Sequence, residues 1–354
     1  MKILYVSYPL LTVSEESAGG AEQMLWTLER EMAKRGVSKA VAASAGSQVA
    51  GQLFATGEAC SQPDDFDRRN REHQKKIIEF VHSHENEFDL VHDKSGSFWT
   101  RAAEINLPVL ATLHLPRHFY PAQQFLNVPE NVSFNCVSES QARTFSDLEN
   151  MLGVVSNGIS LDRFQPNFGP RKGLLWLGRI CEEKGTHLAL DIAARANLAI
   201  TLAGQVYPFS YHQQYFEREI APRLQQMPNA RFISSLSTKE KHSLLREAKT
   251  VLIPALADET SSLVAMEAAA SGTPVIAFRR GALPEVVKDG VTGFLVDGAE
   301  EAIAALSKIS EIHPEACVQH AQEHFSSARM AEEYLQMYRR VLREHKINQK
   351  KMSA

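Results

Sequence analysis

The feature that most constrains this chain is a repeated alternation of short apolar runs with longer amphipathic ones, interrupted once near the middle. In the first half, apolar runs at residues 2–7, 39–44, 89–92, 108–113 and 133–137 read as strands. Helical patterns separate them. The plainest covers 21–35, where Ala21, Met24, Leu25, Leu28 and Met32 share one face and Gly36 closes the helix. A long polar helix fits 67–84. In the second half, strands fit 173–177, 199–203, 231–234, 250–254, 274–278 and 294–296, with helices between them. Such alternation produces parallel sheets covered on both faces.

The interruption contains Asn157, Gly158, Pro166, Asn167, Gly169 and Pro170, a linker composition. The 354 residues also exceed the roughly 250–300 over which one core keeps growing. The expectation is an α/β protein with two Rossmann-like, doubly wound domains facing across a cleft. They would cover residues 1–165 and 166–325. Residues 326–354 would form a helix and basic tail packing back on the first domain. In such folds ligands sit at the carboxyl ends of the strands.

Composition removes several alternatives. The net charge of -4 gives no global basic field, so nucleic acid is not an expected partner. No run approaches the ~18 apolar residues that a spanning helix requires, and the opening segment is too short for a signal peptide. Cys60, Cys136, Cys181 and Cys317 are scattered, which argues for a reducing cytoplasm and against a disulfide framework or zinc ribbon. Peripheral contact with a membrane remains compatible with this composition. Arg68, Arg69, Arg71, Lys75 and Lys76 could meet anionic lipid, but Asp67, Glu72 and Glu79 interleave with them, as on a solvated helix.

Four segments could carry chemistry. The richest runs from Ile253 to Phe278. A strand ends at Pro254, and Ser261 or Ser262 can cap a helix that stops at Gly272. Free N–H groups of Ser262, Leu263 and Val264 at that helix start suit a diphosphate. Glu259 then lies in the loop and Glu267 within the helix, where carboxylates can accept bonds from sugar hydroxyls and a ribose diol. Their spacing alone says little.

The second segment is Gly178-Arg179 through Glu183-Lys184-Gly185, a loop whose two cations can clamp a diphosphate. The third is Gly19-Gly20-Ala21-Glu22, where glycines permit close approach at a helix start. The fourth is Thr112-Leu113-His114 at a strand end, compatible with a sugar contact and with a structural histidine alike.

Taken in order, these elements resemble the retaining glycosyltransferases of family 4, which share the two-domain GT-B architecture. The resemblance covers nearly the whole chain. It includes Asn157-Gly158 through Phe164, Ser271-Gly272-Thr273-Pro274-Val275, Pro284-Glu285-Val286, and Gly290 through Val296. It implies that Arg179 and Lys184 bind the donor diphosphate, Glu267 the ribose and Glu259 the donor sugar. Gly19 and Gly20 would line the phosphate and acceptor side, with His114 beside the donor sugar. It also implies retention of anomeric configuration without a protein nucleophile, and no metal or other cofactor. The donor would be a UDP- or GDP-sugar, and the acceptor a sugar, a small aglycone or a lipid-linked group.

Two departures stand out. Thr260-Ser261-Ser262 replaces the usual Gly-Phe-Gly type of triplet, which would strain the loop if φ > 0 were needed there. Ser234-Ser235 stands where a glycine commonly follows the strand beside the base. A catalytically silent nucleotide-sugar-binding subunit, or an epimerase or hydrolase of the same architecture, is the alternative. As a metal signature, Asp65-Phe66-Asp67 is poorly placed, since it opens a charged helix and not a strand end.

Overall fold

The computed structural model describes residues 1–60 and 65–352. The chain divides into two compact units, Met1–Gly158 with Ser327–Ala354, and Ile159–Ser326. The division falls at the Asn157-Gly158 end of the linker, ahead of the proline-rich stretch that placed it at 165.

The first unit contains β1 (Ile3–Val6), α1 (Gly20–Lys34), β2 (Ser38–Ala43), β3 (Gln52–Ala55), α2 (Phe66–Ser83), β4 (Leu90–Asp93) and β5 (Val109–Thr112). It continues with β6 (Val132–Cys136), α3 (Glu139–Arg143) and β7 (Met151–Val154). The sheet has seven strands in the order β3-β2-β1-β4-β5-β6-β7, all pairings parallel. Its central strands β1, β4 and β5 are buried along their whole length, as sheets covered on both faces require. Leu4, Val6, Ile77, Val91, Trp99, Val109 and Phe134 belong to one core cluster.

The second unit contains β8 (Leu174–Leu177), α4 (Thr186–Arg195), β9 (Ile200–Ala203), α5 (Ser210–Tyr215), α6 (Ala221–Gln226), β10 (Ala230–Ile233) and α7 (Thr238–Glu247). Next come β11 (Thr250–Ile253), α8 (Leu263–Ala270), β12 (Val275–Phe278), α9 (Leu283–Val286), β13 (Gly293–Val296), α10 (Ala299–Lys308) and α11 (Pro314–His324). Its six strands, also parallel, run β10-β9-β8-β11-β12-β13. In each sheet the strand order reverses between two neighbours, β1/β4 in the first and β8/β11 in the second. Connections leave such a pair toward opposite faces, which opens a crevice at its carboxyl ends.

The last helix, α12 (Ser327–Met352), belongs to the first unit and packs on α1. It continues through the basic segment at 346–351, which the sequence pattern reads as a fraying tail. Its Tyr334 and Tyr338 are fully buried against the sheet. Thr112 Oγ1 donates to Asn135 Oδ1 at 2.7 Å, so its bond with His92 Nε2, also 2.7 Å, is one it accepts. His92 Nδ1 then accepts from the Tyr338 hydroxyl at 2.7 Å. Burial, and secondarily the charge of Lys94, hold His92 far below the usual histidine pKa, in keeping with this neutral tautomer. Lys94 is itself buried and reaches the Tyr334 hydroxyl at 3.3 Å.

Candidate functional site

The loops after β8 and β11 flank the switch point of the second sheet, and most of the expected donor residues lie on them. Backbone contacts tie the two loops together. The N–H of Leu256 donates to the Glu183 carbonyl at 2.9 Å. Gly185 adopts φ 63, and a Cβ there would collide with the Pro254 carbonyl oxygen, so only glycine fits. Across this seam Lys184 Nζ meets both carboxylate oxygens of Glu259, at 2.6 and 2.9 Å. The Glu259 side chain is only 10% exposed. A second glycine, Gly281 (φ 53), lets the turn after β12 press on the Glu259 backbone, where the Ala282 N–H donates to the Glu259 carbonyl at 2.7 Å. Glu259 is therefore held by main chain on one side and by a cation on the other.

Arg179 lies on the same β8 loop. Its Nη2 pairs with Glu183 Oε1 at 3.1 Å, and its guanidinium lies 5.6 Å from the Tyr207 ring centroid. Ser262 is the N-cap of α8, its hydroxyl accepting from the Ala265 N–H at 3.3 Å. Leu263 and Val264 open the helix, so their N–H groups are among those with no partner inside it. Among the described non-glycine residues, Asn197 alone has positive φ. Thr260, Ser261 and Ser262 thus adopt ordinary backbone, and the triplet carries none of the strain considered from its sequence.

Glu267 is buried in α8 and meets Lys241 Nζ at 2.6 Å. In the sequence Lys241 is one charge among many in a polar helix. The signal was there, since Ser237 and Glu240 form a capping box that fixes the start of α7 and places Lys241 one residue further on. Arg179, Lys184 and Lys241 are each matched by a carboxylate, from Glu183, Glu259 and Glu267 in turn.

The first unit holds the other expected residues. Gly19 is the N-cap of α1 and Gly20 its first residue. A Cβ at Gly19 would collide with the Glu22 carboxylate, which folds back over it. Glu22 is buried, and burial pushes its pKa up to about 7. His114 is half-buried just beyond β5. Burial, and secondarily Lys94, hold it well below the usual histidine range. The backbone around it is pinned by the Tyr120 hydroxyl, which accepts from the N–H groups of His114 and Leu115 at 3.0 and 3.1 Å. Asp93 ends β4, and burial raises its pKa to about 6.

A cavity of about 210 Å³ lined by Pro108, Asn131, Asn150 and Arg340 lies at the amino ends of β5, β6 and β7, the sheet edge opposite to these residues. Asp65 and Asp67 stand at the start of α2 and belong to no ligand cluster among the described residues. No helix among the described residues is long and apolar enough to cross a membrane.

Two parallel-sheet units with these strand orders have the GT-B fold. The chain superposes on sucrose-phosphate synthase from Thermosynechococcus elongatus with a TM-score of 0.80 at 19% identity, covering 97% of this chain and 100% of that one. It superposes on Anabaena HepE in complex with UDP and glucose with a TM-score of 0.74 at 16% identity, covering 95% and 99%. Residues 159–324 match the family model of the glycosyl transferases group 1. In sequence, the chain is 28% identical over 253 residues to a D-inositol 3-phosphate glycosyltransferase of Mycolicibacterium smegmatis. That alignment covers 66% of this chain, which spans only 58% of the length of that relative.

Proposed function

We propose that this chain is a retaining glycosyltransferase of the family 4 type, which transfers a sugar from a UDP- or GDP-sugar to an acceptor hydroxyl without a metal ion. The observation that carries the reading is the contact of Lys184 with Glu259 at the switch point of the second sheet. In this reading Arg179, Lys184 and the N–H groups of Ser262, Leu263 and Val264 receive the diphosphate, and Lys184 exchanges the Glu259 carboxylate for phosphate oxygen. Glu259 is then released toward the sugar hydroxyls, and Glu267 accepts from the ribose diol while Lys241 balances its charge. Fixed cations and an N-terminal helix dipole stabilise the charge that develops on the leaving group.

The step breaks the bond from C1 of the sugar to the diphosphate oxygen and forms one from C1 to the acceptor oxygen. The acceptor proton passes to the departing phosphate on the same face of the sugar, which gives retention. His114, held neutral, can hydrogen-bond the sugar without adding charge. A cytoplasmic location suits such a donor. The M. smegmatis relative is named for D-inositol 3-phosphate, so that polyol phosphate is the first acceptor to assay, ahead of sugars and lipid-linked groups.

The test incubates the purified chain with UDP-, GDP-, ADP- and dTDP-sugars and records thermal shift, slow donor hydrolysis and transfer. Stabilisation by one sugar nucleotide beyond its free nucleotide, together with its hydrolysis or transfer, is expected. If no donor binds better than its free nucleotide and none reacts, the proposal fails. Binding with neither hydrolysis nor transfer would favour a silent nucleotide-sugar-binding subunit.

A further inference from the structure

Beside Arg179, two side chains of the loop after β8 and one from α5 converge, and none of the three takes part in the transfer scheme above. Cys181 is fully buried and directly precedes the short turn Glu182–Lys184. His212 comes from α5, and Glu183 lies between Arg179 and Lys184. One ligand atom from each lies within 4.8 Å of the others. His212 is fully buried, and both of its ring nitrogens lack a hydrogen-bond partner. Its neighbours Tyr207, Phe209 and Tyr211 present rings to it, with centroids 6.1, 5.4 and 4.2 Å away. A buried polar group left unmet is destabilising and calls for an explanation.

We propose that Cys181, Glu183 and His212 form a binding site for a thiophilic divalent ion of the Zn²⁺ class. Thiolate sulfur, imidazole nitrogen and carboxylate oxygen are the donors such ions select, whereas Mg²⁺ and Ca²⁺ prefer oxygen alone. With metal–ligand bonds of about 2.0–2.3 Å, tetrahedral donors sit roughly 3.3–3.8 Å apart. The cluster therefore needs a contraction of at most about 1–1.5 Å, within reach of side-chain rotation. Thiolate and carboxylate together neutralise the ion. Arg179 engages Oε1 of Glu183, and the second carboxylate oxygen is the one the ion takes. Binding releases the Cys181 proton to solvent and gives the stranded imidazole a partner. The ion is not placed at the sugar and supplies no step of the transfer.

The test uses the full chain, reduced, stripped with chelator and free of nucleotide and sugar. Titration with Co²⁺ should saturate at one equivalent with a thiolate-to-cobalt charge-transfer band, and Zn²⁺ should displace it. Cys181→Ser should abolish the band, and Cys60→Ser should leave it intact. His212→Gln and Glu183→Gln should each weaken Co²⁺ binding by more than about ten-fold. Absence of the band in the native chain, or its survival in Cys181→Ser, overturns the proposal. Should the Cys181 or His212 variant lose its native circular dichroism, Glu183→Gln decides, since its side chain is only partly buried and unchanged affinity would refute the site. The titration contains no donor, so its outcome and that of the transferase assay are separable.

Discussion

Glu22 sits at the start of α1 with its carboxyl buried over Gly19, and burial lifts its pKa from the usual 4.5 to about 7. Substituting Glu22→Gln keeps the shape and removes the titration. A carboxyl whose pKa is higher in the folded chain than in the unfolded one contributes stability that is fully present below about 4.5. That contribution is lost as pH rises through about 7. At about 1.4 kcal/mol per tenfold change in proton affinity, native and Glu22→Gln proteins should match near pH 4.5 and diverge by about 3 kcal/mol at pH 8, the variant being the more stable. For a unit of roughly 150–250 residues, 3 kcal/mol corresponds to about 6–12 °C in Tm. The assay is the difference in melting of the first unit between the two proteins, followed by circular dichroism from pH 4.5 to 8. Other groups that titrate in this range, Asp93 among them, are present in both proteins and drop out of the difference. A difference that stays flat across pH, or that narrows as pH rises, refutes a buried, proton-loaded Glu22.

Other consequences concern the second unit. Glu267→Ala should raise the donor KM strongly, and an unchanged KM would remove Glu267 from the ribose. Lys241→Met leaves Glu267 buried without its cation and should lower the unfolding free energy of the second unit by about 1–3 kcal/mol, read by urea titration. Gly185→Ala forces a side chain into the Pro254 carbonyl at φ 63, so a loss of more than about 2 kcal/mol is expected from the same titration. EDTA should leave the transfer rate unchanged, and loss of activity restored by Mn²⁺ would contradict the roles given to Arg179 and Lys184.

Much of this was legible in the sequence because buried parallel strands are written as apolar runs. The apolar runs at 173–177 and 250–254 coincide within a residue with β8 and β11, the strands that bear the candidate loops. The two strands missed, β3 and β7, are the outermost of their sheet. Gln52–Ala55 is half-exposed, and Met151–Val154 contains Gly153 at φ 124, so neither shows a buried run. Glu259, Lys184, Arg179 and Glu267 could be named from their order along the chain. What the sequence could not show was which charges meet. Lys184 and Glu259 are far apart in sequence and become neighbours only through the strand order β8-β11. Lys241 requires α7 to pack on α8. Cys181 and His212 were unremarkable because metal-ligand spacing is sought locally, and this cluster is assembled by a loop and a helix on either side of β9.

The burial of Tyr334 and Tyr338 by the first sheet also bears on how the chain is made. The second unit is continuous in sequence, whereas the first is split around it. On a ribosome the second unit is complete in sequence before α12 is synthesised, and domains close as units during synthesis. Until Tyr338 emerges, His92 Nδ1 has no hydroxyl to accept from, and Lys94 lacks the Tyr334 ring and hydroxyl. The contacts of His92 and Lys94 with α12 can therefore form only after the whole second unit has been made, so the earliest strands gain their last partners from the last helix.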